Sequence, residues 1–148
     1  MAFRTSLKTI TSALLLLALL PVGAFAAIAP LSPEQKQAMS SHIVTGKVIA
    51  ITSKVEKSKV EKAFGVHRDR AFQITILVEA VAKGANISKG DQIQVYAWKP
   101  SLRLPAMPGL QGHEGIPKEG DSVKLFLKKR EKLNAFEPLL PNGIEQVN

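Results

Sequence analysis

Between Ala71 and Lys99 the chain carries two stretches of strict two-residue alternation joined by a short polar turn, and no other pattern in it narrows the fold so far. In the first, Phe72, Ile74, Ile76, Val78 and Ala80 share one face, and Gln73, Thr75, Leu77, Glu79 and Val81 the other. The run breaks at Lys83-Gly84 and crosses Asn86-Ile87-Ser88-Lys89-Gly90-Asp91. It resumes with Ile93, Val95 and Ala97 against Gln92, Gln94, Tyr96 and Trp98. A period of two excludes a helix, so this is a β-meander, and its apolar face is the one that later segments must cover.

What precedes the meander is of a different kind. Arg4 and Lys8 lead into the apolar block Ala13 to Leu20, which ends at Pro21 and Gly23 before a small-x-small site, Ala24-Phe25-Ala26. This order of charge, apolar block and small residues is that of a secretory signal peptide spanning residues 1–26. The block falls short of the roughly 20 residues of a membrane span, so no stable span is expected after cleavage. The product is expected to be secreted or periplasmic. With no cysteine in the chain, neither a lipid on an amino-terminal cysteine nor a disulfide is available.

The whole chain has a formal charge of +8, and loss of Arg4 and Lys8 leaves the rest basic. Outside the cytoplasm the polyanions are cell-wall polymers, anionic lipid headgroups and acidic polysaccharides, and nucleic acid is not an expected partner.

After cleavage, residues 27–40 read as a leader. Ser32-Pro33-Glu34-Gln35 has the form of a helix start, with Ser as N-cap, Pro at the first helical position and Gln35 three residues after the cap. A short helix from Pro33 to about Ser40, closing one end of the sheet, is expected. Residues 41–148 then read as one β domain. Ile43 to Thr52 is rich in β-branched residues, and Gly46 within it marks a bulge or bend. Lys54 to Arg70 reads as a long, basic, solvated connection or as two strand ends extending beyond the barrel. Between Lys99 and Gly120, Pro100, Pro105, Pro108 and Pro117 with Gly109, Gly112 and Gly115 are expected to forbid both helix and ladder, leaving a long loop. Gly120-Asp121 repeats the turn of Gly90-Asp91 and launches Val123, Leu125 and Leu127 against Lys124, Phe126 and Lys128. A final hairpin is expected from Glu131 to Ile144, turning at Asn142-Gly143.

A bent first strand, a long connection, a meander and a last strand, with no crossover helix, predict an all-β fold. The expectation is a small five-stranded OB-like Greek-key barrel with a long Pro/Gly-rich loop and a short amino-terminal helix. Four segments carry a resemblance: His42 to Val48, Ile76 to Gly84, Gly90 to Val95, and Gly120 to Leu127. Together they resemble the framework of exported bacterial domains similar to the netrin-like and tissue-inhibitor-of-metalloproteinase OB fold. The resemblance implies a fold. Inhibitors of that family act through a mature amino-terminal cysteine that chelates zinc, and with no cysteine here that activity transfers to no residue.

No catalytic signature accompanies the framework: there is no Gly-x-Ser-x-Gly elbow and no cysteine nucleophile, and His113-Glu114 sits in the irregular segment. The chain is therefore read as a non-enzymatic binding module of the cell envelope with no cofactor, its partner an unidentified protein or envelope polymer. Binding residues concentrate on loops held by a rigid scaffold, so the expected contact surface is the loop with its neighbouring strand: Leu110, Gln111 and His113 with Tyr96 and Trp98. A second reading is an electrostatic binder of acidic polysaccharide or another polyanion. There Lys57, Lys59 and Lys62 of the connection join Lys128, Lys129 and Arg130 in one positive stripe. A third is a metal-binding periplasmic protein using Met39, His42, His67, Met107, His113 and Glu114. None of these has the short His-x-x-x-His type of spacing that sets two ligands together, so no residue is assigned to a metal.

Overall fold

The computed structural model describes residues 28–59, 65–106, 112–131 and 135–147. Residues 1–26, read above as a signal peptide, and Lys62, Met107, Leu110 and Gln111 lie outside them.

The structure is mostly β: one short helix, α1 (Pro33–Met39), is followed by β1 (His42–Lys57), β2 (Val66–Lys83), β3 (Gln92–Leu104), β4 (Ser122–Arg130), β5 (Ala135–Pro138) and β6 (Ile144–Gln146). Hydrogen bonding runs β1-β2-β3-β5-β4, and β4 pairs back onto β1, so these five strands close a ring. All ladders are antiparallel except β3 with β5, which meet in parallel at Val95 and Phe136.

The alternation of the meander sets the core. Phe72, Ile74, Ile76 and Val78 of β2 pack with Ile93, Val95 and Ala97 of β3, with Val44 and Val48 of β1, and with Val123, Leu125 and Leu127 of β4. Burying each larger side chain stabilises the fold by about 1.5–3 kcal/mol. Gly46 allows the bend in β1: the pairing with β2 shifts register between Thr45 and Gly46, and a Cβ there would strike the Leu77 carbonyl. The Gly-Asp turn is indeed built twice. Asp91 accepts from the Ser88 N–H at 2.7 Å and Asp121 from the Lys118 N–H at 2.8 Å. Gly90 donates to the Val78 carbonyl and Gly120 to that of Val48, both at 2.8 Å.

One of the two readings of the basic connection holds, and two other segments differ from the sequence reading. The basic connection is an arm: β1 and β2 stay paired from Lys54 opposite Ala71 out to Lys57 opposite Arg68. Its dispersed charges hid a ladder that extends beyond the core, where no apolar alternation is required. Likewise the loop begins later than expected, because β3 runs through Pro100 to Leu104. Pro100 is tolerated because Trp98, on the same edge, points its N–H and carbonyl away from β2 to His113. The missing N–H of Pro100 therefore falls on the outer edge, and the ladder shifts register just beyond it.

The other difference concerns the carboxyl-terminal segment: it contributes two short strands, which bring the sheet to six, and β5 pairs back on β4 instead of pairing with β6 across Asn142-Gly143. β5 and β6 lie one after the other along the same side of β4, Leu127 facing Pro138 and Leu125 facing Ile144. Between them the chain steps outward, with Phe126 bonding both the Leu139 N–H and the Gly143 carbonyl at 2.9 Å. That step covers Phe126, which packs with Ile43 and Leu139 in a second, outer cluster that Leu31 joins.

Helix α1 forms where its sequence signals stand: Ser32 and Gln35 make the reciprocal capping box. It lies against the outside of β4 and β6 and not at the end of the sheet. Lys36, buried, reaches across Phe126, its ammonium 4.9 Å from the ring, to an ion pair with Glu145.

Candidate functional site

Where the arm leaves the ring, its outward face and the outer face of β3 and β5 enclose a groove of about 430 Å³. Ala71 and Trp98 stand opposite each other in the β2–β3 ladder and form its floor with Tyr96 and Ala97. Leu140 closes the apolar side, Lys54, Lys57 and Lys59 supply one rim, and Arg130 with Glu137 the other. Glu56 and Asp69 enter from the arm.

Strand alternation explains the membership. Val95 and Ala97 are buried in the core, so Tyr96 and Trp98 must face outward, and Glu137 projects outward beside Tyr96 because its neighbour Phe136 turns in. The Arg130 guanidinium lies 5.3 Å from the centre of the Tyr96 ring, within cation–π distance. Trp98 meets the His113 ring edge-on at 6.3 Å and 89°.

The groove is of mixed sign. Lys54 pairs with Glu56 at 3.0 Å on an exposed rim, a contact worth little in water. Asp69 is buried against Arg103, whose guanidinium also donates to the Arg68 carbonyl at 2.6 Å. The positive stripe expected from the sequence is therefore split. Lys57, Lys59 and Arg130 do meet in the groove, whereas Lys128 borders a hollow beside Met39 and Leu139. Lys129 lines a separate hollow of about 380 Å³ with His42, Asp91 and Phe136. Alternation accounts for Lys129, which points to the face opposite Arg130; Lys128 shares the face of Arg130 and is set apart along the strand, beside Met39 and Leu139.

His113 comes to Trp98, as expected of the loop and its strand, but faces inward and is 3 % exposed. The Trp98 N–H donates to its Nδ1 at 3.1 Å, and its Nε2 lies 2.9 Å from the Pro138 carbonyl. An acceptor Nδ1 makes Nε2 the protonated nitrogen, donating to Pro138. Burial is the largest influence on this imidazole and lowers its pKa, against smaller opposite effects from the two carbonyls and Glu137.

Among the groove residues that the sequence did not single out are Asp69, Glu137 and Leu140, and Arg103 pairs with Asp69 from outside the lining. A faint signal for Arg103 existed: Leu102-Arg103-Leu104 alternates, which marks a strand beyond Pro100. Among the described residues no three His, Asp or Glu side chains gather as metal ligands would. His42 packs on Phe136 at 4.9 Å, and His67 is fully buried in the arm with neither ring nitrogen hydrogen-bonded to a described residue.

Comparisons with protein-family models, with curated proteins and with solved structures find no match to this chain. The groove's chemistry therefore rests on its own residues.

Proposed function

We propose that the chain is a non-enzymatic, exported binding module of the cell envelope, that its ring of strands is a small OB-like barrel, and that its ligand seats in the Tyr96–Trp98 groove. The strand order around the ring, with β3 and β5 in parallel and the rest antiparallel, supports the barrel reading. The observation that carries the binding reading is the pairing of an aromatic floor with charges of both signs. Tyr96 and Trp98 share the groove with Lys57, Lys59 and Arg130 and with Glu56 and Glu137. An apolar floor with convergent polar groups is the usual make-up of a ligand site. Mixed charge suits an extended segment of a protein partner better than a uniform polyanion, which would meet carboxylates on the floor and rim.

Trp98 is the only tryptophan, so its emission reports on the groove alone. Envelope extract passed over the immobilised protein should yield a partner that Trp98→Ala and Tyr96→Ala no longer capture, and the purified partner should shift the emission of the native protein. Capture undiminished by either substitution would end this reading. A ligand whose retention collapses with salt and with Lys57→Glu, but not with Trp98→Ala, would favour the polyanion reading through Lys57, Lys59 and Arg130.

A further inference from the structure

The other side of the arm carries a second, independent surface. Val55 is 49 % exposed, Val66 43 %, Leu102 41 % and Leu104 56 %. Large apolar side chains gathered in solvent mark an interaction surface. The ladders put all four on one side: Val66 stands opposite Leu104, Arg68 opposite Leu102, and Arg70 opposite both Val55 and Lys99. Cross-strand partners share a face; Lys57, opposite Arg68, stands at the edge of this face while it also borders the groove. Val66, Arg68 and Arg70 also continue the parity of Phe72 and Ile74, so this is the core face of the three strands carried past the end of the core.

What interleaves the apolar residues is cationic. Arg70 and Lys99 are exposed here, with the Lys99 ammonium 5.7 Å from the Phe72 ring, and Arg68 lies between them and the tip, donating to the His67 carbonyl. The carboxylates described on the arm, Glu56 and Asp69, stand opposite each other on the groove side. The face is thus apolar and positive with no described acid.

We propose that this side of the arm docks on an anionic membrane surface, with Arg70 and Lys99 meeting lipid phosphates and Leu102, Leu104, Val55 and Val66 entering the boundary between headgroups and acyl chains. Charge complementarity selects that occupant. A second copy would set the same cations against each other, and an apolar protein groove would strip them of water without a counter-charge. The basic charge of the whole chain adds long-range attraction to such a surface.

The test is flotation of the purified protein with vesicles of phosphatidylglycerol and phosphatidylcholine against phosphatidylcholine alone. Binding to the anionic vesicles is expected, and Arg70→Glu with Lys99→Glu weakens it by more than about tenfold. Leu102→Ser with Leu104→Ser weakens it too, while Trp98→Ala floats as the native protein does. Because the chain has no cysteine, a dye on Leu104→Cys can be placed uniquely and should shift to the blue on anionic vesicles, whereas the same dye on Gln73→Cys should not. Equal flotation with neutral vesicles, retention by both double variants with a silent Leu104→Cys dye, or loss on Trp98→Ala would each overturn the proposal. Self-association removed by the leucine substitutions, without vesicle binding, would assign the face to a second copy instead.

Discussion

Trp98 and His113 exchange bonds in both directions: the Trp98 N–H donates to His113 Nδ1 at 3.1 Å, and the His113 N–H donates to the Trp98 carbonyl at 2.7 Å. The returning chain is thereby clasped to the outer edge of β3, and through Nε2 to the Pro138 carbonyl at the end of β5. The clasp bridges two strands whose ladder, among the described residues, pairs Val95 with Phe136. It also holds the backbone behind the groove floor.

His113→Ala should therefore destabilise the protein by about 2–4 kcal/mol, since it empties a packed site and orphans a buried donor and acceptor. His113→Gln, whose amide can accept from Trp98 and donate to Pro138, should recover part of that loss. Urea unfolding followed by Trp98 emission measures both, and equal stability of the Ala and native proteins would show that the clasp carries no load.

The same imidazole makes stability depend on pH. Burial lowers the folded pKa below the ordinary 6.5, so in acid the unfolded chain binds a proton that the folded chain does not. The contribution of neutral His113 is fully present above 6.5 and declines as pH falls from there toward the lowered folded value. Thermal unfolding at a series of pH values should show this acid-side decline reduced in His113→Gln.

Asp69 and Arg103 form an ion pair with both side chains largely buried, at 12 % and 14 % exposure. Removing one partner leaves the other charged and buried, so Arg103→Leu should cost about 3–5 kcal/mol. Asp69→Leu combined with Arg103→Leu should cost less than the two single changes together. A double-mutant cycle in urea measures the coupling, and strict additivity would mean that the pair does not interact.

The glycines of bend and turn should rank in a definite order. Gly46→Ala drives a Cβ into the Leu77 carbonyl, which belongs to a ladder and cannot move freely. Gly90→Ala meets nothing within 4 Å and bears only the strain of φ +95°, about 1 kcal/mol. The melting temperature should fall further for Gly46→Ala, and the reverse order would place the bend of β1 elsewhere.

Much of the ring was legible from residue order, because alternation and turn chemistry act over a few residues. The faces of Phe72 to Val78, Ile93 to Ala97 and Val123 to Leu127, the capping box at Ser32, the twofold use of the Gly-Asp turn and the bend at Gly46 are all local consequences. Tyr96 and Trp98 could be placed together on one side of their strand for the same reason. The arm was legible only as one of two readings, because a ladder beyond the core has no apolar partner to impose alternation on its side chains. Nor was the continuation of β3 through Pro100, since the harm a proline does depends on which edge of the strand is free.

By itself, then, the order of residues determined the core strands, the faces they bury and the two Gly-Asp turns, since those follow from steric preferences and spacing over short distances. Tertiary structure alone decided that β4 returns to β1, that Lys128 and Lys129 part from Arg130, that His113 turns inward, and that Asp69 and Arg103 meet. Those outcomes depend on contacts between residues far apart in the chain, whose energies no local pattern encodes.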